Sequence, residues 1–173
     1  APFSANAGFV IIDNFDSPVL PDFQQVKADG VLSSNDYGRT MSITPISGVI
    51  PGVLSGSATV VNGRLSVSND DGVDTSVQLS WTVASGLIPV GATGLSFLFT
   101  VVQSDGNQTD LAFSFDGGSL GPASSIPGGT TNANVTVGLN NDHALDGGGV
   151  LAVEINGTAG WDLRIDTFGL AYT

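Results

Sequence analysis

The sequence predicts an all-β chain, a two-sheet antiparallel β-sandwich that is jelly-roll-like. Three observations predict it. Apolar residues recur with a period of two along short runs. Asn-Gly, Asp-Gly and Gly-Gly pairs separate those runs and supply the positive φ that hairpin turns demand. No stretch carries the capped 3.6-residue period of an amphipathic helix. About ten short strands with regular turn spacing fit two packed sheets. At 173 residues the chain builds one continuous core. Residues 8–173 read as a single domain, and residues 1–15 as a lead that ends in a candidate donor strand.

Taken in order, Gly8 to Ile12 is continuously apolar and follows a lead of small residues. It reads either as a first strand buried on both faces, or as an exchanged strand in which Phe9, Val10, Ile11 and Ile12 fill a groove of the next subunit. Such a head-to-tail contact does not close and propagates as a filament. Val60 to Leu65 forms a tight hairpin around Asn62-Gly63, and Leu65 and Val67 continue inward. Val77, Leu79, Trp81 and Val83 alternate with Ser76, Gln78, Ser80 and Thr82, which gives one buried and one wet face. Gly94 to Gln103 is apolar on both faces, as a central strand is. Leu111, Phe113 and Phe115 alternate next, and Asp116 to Thr131 reads as a long mobile loop rich in Gly, Ser and Pro. Further strands carry Val135, Val137 and Leu139, then Leu151, Val153 and Ile155. Trp161, Leu163 and Ile165 share one parity and Phe168, Leu170 and Tyr172 the other. That shift of one residue predicts a β-bulge near Asp166 and Thr167.

Sixteen acidic residues against four basic ones leave a net charge of −12, which excludes nucleic acid and anionic membrane surfaces as partners. The same acidity favours calcium, a hard cation with oxygen ligands. Charged residues make up 12% of the chain, about half the usual share. Neutral Ser, Thr, Asn and Gly surface suits cover by sugar or by neighbouring subunits. The absence of Cys excludes disulfides and zinc-thiolate sites. Ala1-Pro2-Phe3-Ser4-Ala5 fits a mature start after signal-peptide cleavage, and no 18-residue apolar run supports membrane insertion.

Catalysis finds little material. The single histidine, His143, sits in a polar turn, no G-x-S-x-G elbow is present, and Glu154 lies on the polar face of its strand. The chain reads as a non-enzyme with no catalytic residues. Asn69, Asp70, Asp71 and Asp74 form one candidate calcium cluster, and Asp105, Asn107 and Asp110 a second. Ordinary turn chemistry accounts for both better than a metal does, and neither has the closing Glu of an EF-hand. Three sequons make Asn107, Asn134 and Asn156 glycosylation candidates. Asp105 and Glu154 stand two residues before Asn107 and Asn156, an extended form that resembles the acceptor of bacterial oligosaccharyl transferases. Trp81 and Trp161 fall on apolar faces. Tyr37 is the one aromatic in a polar turn and the candidate sugar-stacking residue.

The opening Ile11-Ile12-Asp13-Asn14-Phe15-Asp16 and the closing Leu163-Arg164-Ile165-Asp166-Thr167-Phe168-Gly169-Leu170 resemble the first and last strands of bacterial jelly-roll modules of the carbohydrate-binding type. With Leu65 to Asn69 and Val77 to Trp81 between them, the chain is similar to secreted bacterial proteins that carry exosortase-type (PEP-CTERM) sorting tails. Such a tail would lie beyond Thr173. The resemblance implies an extracellular or cell-surface protein, often glycosylated. It also implies a structural calcium between the end strands, with Asp166 and Asp13 or Asp16 as the matching acids. The expectation is therefore a self-assembling fibre or matrix subunit joined through its N-terminal strand, with its own copies as partners. The alternative is a carbohydrate-binding or calcium-dependent adhesive module with glycan partners.

Overall fold

The computed structural model describes residues 7–15, 23–36 and 38–173, and among them every regular element is a strand. In chain order these are β1 (Gly8–Asp13), β2 (Phe23–Lys27), β3 (Ser33–Asp36), β4 (Arg39–Ser47), β5 (Gly56–Val61), β6 (Arg64–Asn69) and β7 (Asp74–Val83). They continue with β8 (Ser96–Ser104), β9 (Thr109–Phe115), β10 (Gly118–Ser119), β11 (Ser124–Ile126), β12 (Thr131–Gly138), β13 (Gly149–Gly157) and β14 (Leu163–Tyr172). Two seven-stranded antiparallel sheets result. The first runs β12-β8-β14-β6-β5-β2, with β1 also paired to β14; the second runs β10-β9-β13-β7-β4-β3, with β11 paired to β9. The expected all-β sandwich is the fold.

Local chemistry sets the register. Val61 pairs with Arg64 across Asn62 and Gly63, whose φ values of 50° and 76° are those of a two-residue primed turn. On β14 the register slips between Asp166 and Phe168, with Thr167 at φ 33° as the extra residue. The bulge lies where the parity change placed it. Between the sheets Phe97 stacks on Phe113 at 4.1 Å, and Phe168 covers Trp81 at 5.0 Å. Both tryptophans are buried, and Trp161 donates its indole N–H to the Thr75 carbonyl.

Three expectations need correction. First, β1 is not buried on both faces. Val10 and Ile12 pack on the core, while Phe9 and Ile11 are 43% and 56% exposed. The reason is position: β1 hydrogen-bonds β14 of its own chain alongside the end of β6, and the second sheet covers only its inner face. The strand fills its own groove, so the geometry lends no support to a donor strand. Second, β8 alternates as well. Its outer-face Leu98 and Val102 are only half-buried, because no described element covers that face. Third, the stretch from Asp116 to Thr131 is not a free loop. β10 and β11 fold back onto β9, and Leu120 and Ile126 are buried.

Candidate functional site: a cleft at the β14 bulge

The outer face of the first sheet carries an open cleft of about 650 Å³ lined by Asn14, Asn62, Arg64, Ser66, Arg164, Asp166 and Thr167. Three chain segments make it. β1 delivers Asn14 just past its end, the β5–β6 hairpin delivers Asn62 and Arg64, and β14 delivers Arg164, Asp166 and Thr167. The Gly63 N–H donates to the Phe15 carbonyl at 3.0 Å and fixes the hairpin tip against the end of β1. Inward Leu65, Leu163 and Ile165 force their neighbours Arg64, Ser66, Arg164 and Asp166 outward. Thr167 is β-branched at positive φ, a conformation that costs about 1–3 kcal/mol.

The polar groups are unevenly partnered. Arg64 stands directly across from Asp166, and Arg164 across from Ser66. Among the described residues, neither arginine has a hydrogen-bond or ion-pair partner. Ser66 and Arg164 also line a second hollow with Ser68, Gln103, Asp105 and Asp162, so the cleft continues along β14 as a groove. In the other direction the face turns apolar. The Phe9 ring lies over Gly169, where a Cβ would collide with it, and Leu98 pairs beside the same glycine. The second sheet offers a contrast. Its outer hollow is lined by Thr40, Ser42, Gln78, Ser80 and Ser114, with no charged side chain.

The residues singled out from the sequence are dispersed. Asp13 is buried, and its carboxylate accepts from Arg39 Nε at 2.6 Å, Arg39 Nη2 at 2.8 Å, Trp81 Nε1 at 2.8 Å and the Phe15 N–H at 2.7 Å. A guanidinium thus sits where the resemblance implied a cation, and Asp166 lies apart in the open cleft. Asp70 accepts from the Ser55 N–H, Asp71 is exposed, and Asp74 is partly buried. Burial raises the Asp74 carboxyl above the ordinary range, with the Thr75 N–H partly offsetting it, and Asp74 Oδ1 has no partner. Among the described residues no three acids or histidines converge as a metal cage. Asp105 binds its own neighbour Asn107, and Asp110 binds Ser125 and Gln108. His143 is exposed beside Asp146 at 3.0 Å. Asp16 and Tyr37 lie outside the described residues.

The three sequons differ. Asn134 is exposed on the outer face of β12, and only its oxygen is engaged, by the Thr100 hydroxyl. Asn107 Nδ2 is tied to Asp105 Oδ2 at 3.0 Å. Asn156 accepts from the Gly157 N–H. The sequence pattern marks none of Arg64, Arg164 and Phe9 for a ligand site; strand parity puts the two arginines outward, whereas the all-apolar run around Phe9 carries no such signal.

No protein-family model matches the sequence, and no curated protein matches it. Among solved structures the chain is similar to a family 61 carbohydrate-binding module in complex with β-1,4-galactotriose. That match has 15% identity over 87% of this chain and 88% of the other, with a TM-score of 0.43. A family 11 carbohydrate-binding module from Clostridium thermocellum, in complex with a β-1,3-1,4-mixed-linked tetrasaccharide, matches at 14% identity over 96% of each chain and a TM-score of 0.43. The enzymatically active domain of a bacteriophage tailspike protein matches at 9% identity over 95% of this chain and 21% of the other, with a TM-score of 0.47. Likenesses this distant say nothing about a ligand, and the fold assignment rests on the two sheets themselves.

Proposed function

We propose that this protein is a carbohydrate-binding module that holds a glycan on the outer face of its first sheet. The observation that carries the reading is the open cleft at the β14 bulge, where amide, hydroxyl and guanidinium side chains face solvent beside an apolar shelf. A sugar ring needs that combination. Its hydroxyls pair with planar polar groups, and its C–H face rests on apolar surface. Phe9 over Gly169 supplies the shelf, about 10 Å along β14 from Asp166 at the usual strand rise. Among the described residues one carboxylate, Asp166, lines the cleft, whereas glycoside hydrolysis uses a pair; this supports binding over catalysis. The reading places the protein outside the cell, where polysaccharides are exposed.

Affinity electrophoresis through gels containing plant and microbial polysaccharides, followed by calorimetry with oligosaccharides, tests it. The wild type is retarded by at least one glycan, and Phe9→Ala weakens that binding by about three- to tenfold while the fold stays intact. A wild type retarded by none of them overturns the proposal.

A further inference from the structure

We infer that the glycan is acidic, and that Arg64 and Arg164 together hold a sugar carboxylate of the uronic-acid type. This rests on the glycan-binding reading of the same cleft and gives it a ligand class. The chain has four basic side chains. Arg39 is buried against Asp13. Lys27 lies beside Asp29, whose carboxyl is held below the usual range mainly by the Gly52 N–H and the Ser55 hydroxyl, and also by Lys27. The other two are Arg64 and Arg164, and both line this one cleft.

Their placement is specific. Arg64 pairs across β6–β14 with Asp166, and Arg164 with Ser66, so the arginines are diagonal neighbours on one sheet face. Diagonal positions lie roughly 7–8 Å apart, within reach of a shared anion for side chains this long. Asp166 would be the natural partner of Arg64, yet the two form no ion pair. Both guanidinium forks therefore face solvent with their donors unused. A planar fork matches a carboxylate through two parallel N–H···O bonds, which a neutral hydroxyl cannot reproduce. In a protein of net charge −12, the described residues of this cleft carry one positive charge in excess of their single acid. The groove that continues past Arg164 toward Asp105 and Asp162 is acidic at its far end. The carboxylate therefore belongs at the Arg64 end, with neutral rings of the same chain running along β14.

Calorimetry of the full chain with three size-matched oligosaccharides tests this: an oligouronate, its carboxyl-reduced neutral counterpart, and a sulfated one. Arg64→Gln and Arg164→Gln are measured beside the wild type, with thermal unfolding to show that these exposed substitutions leave the fold intact. The oligouronate should bind best. Each substitution should weaken it by about tenfold or more, and should weaken the binding of the reduced sugar by much less. Equal affinity for the oligouronate and the reduced sugar, indifferent to both substitutions, overturns the acidic-ligand inference and leaves the glycan reading standing. Preference for the sulfated sugar overturns the carboxylate assignment. Binding of none of the three, in a chain also not retarded by any polysaccharide gel, removes the glycan reading and this inference with it.

Discussion

Replacing Asp13 with Ala strands the Arg39 guanidinium in the interior. Both side chains are almost fully buried, at 7% and 4% exposure. Arg39 gives two donors to Asp13 and a third, from Nη1, to Gln24 Oε1 at 3.0 Å, and it lies 5.4 Å from the centre of the Phe15 ring. The network joins the end of β1 in the first sheet to β4 and Trp81 in the second. Breaking a buried pair by removing one partner costs about 3–5 kcal/mol, because the remaining charge keeps its desolvation penalty. A domain of this size shifts its midpoint by roughly 2–4 °C per kcal/mol, so Asp13→Ala should lower Tm by about 6–20 °C. Arg39→Met strands the Asp13 carboxylate instead and should also be destabilising. The double variant removes both charges and should recover most of the loss. It still leaves the Trp81 N–H and the Phe15 N–H unpaired, at about 1 kcal/mol each. Urea titration followed by tryptophan fluorescence, run as a double-mutant cycle, reads each term. A single-variant loss below about 1 kcal/mol, or a cycle with no coupling, refutes the reasoning.

Three further outcomes follow from the same geometry. Asp74→Asn should stabilise the protein slightly at neutral pH, because a partnerless buried oxygen loses its charge. Burial raises the folded carboxyl above its ordinary 3.8, so the wild type is penalised above that raised value and recovers as pH falls through it. Thermal scans of the two proteins should therefore converge in acid, and a gap that widens there contradicts the assignment. Gly169→Val should destabilise by about 1–3 kcal/mol and weaken glycan binding together, since a side chain at that position meets the Phe9 ring and the Val10 carbonyl; unaltered Tm counts against the packing. Glycopeptide mass spectrometry on native material should find Asn134 occupied ahead of Asn107, whose amide nitrogen is held by Asp105; occupancy at Asn107 alone reverses that ranking.

Local features were legible in the sequence and assembled ones were not. Asn62-Gly63 dictates its turn through two positive φ angles, and the parity change before Phe168 marks a bulge, because both are properties of adjacent residues. Trp81 and Trp161 sit on apolar runs and are buried. The cleft could not be read this way. It joins Asn14, Asn62 to Ser66, and Arg164 to Thr167, which only the β1–β14 and β6–β14 pairings bring together. Phe9 was hidden for the opposite reason. In a run where every residue is apolar, alternation cannot tell the covered face from the bare one, and only the position of β1 at an uncovered place decides it. At Asp13 the pairing was not legible: an acid at the end of the first strand reads as a candidate metal ligand, and the structure has it accept from Arg39, 26 residues away.

The bulge connects fold and site more tightly than either shows alone. Up to Asp166, β14 follows one parity: Leu163 and Ile165 enter the core, and Arg164 and Asp166 face the cleft. If that parity held, Thr167 and Gly169 would point inward, and Phe168 and Leu170 would turn toward solvent. The extra residue at Thr167 restores Phe168 to the aromatic stack with Trp81, Phe97 and Phe113. It also turns Gly169 outward, where the absence of a side chain lets Phe9 lie flat over the strand. One strained threonine thus lines the polar cleft and sets the position of the apolar shelf and the closure of the core. The same residue ends the continuous β6–β14 ladder and begins the β1–β14 ladder, so the opening between β1 and the hairpin tip lies beside it. A cleft built at such a point inherits its shape from the core, and its polar residues are held without any dedicated loop.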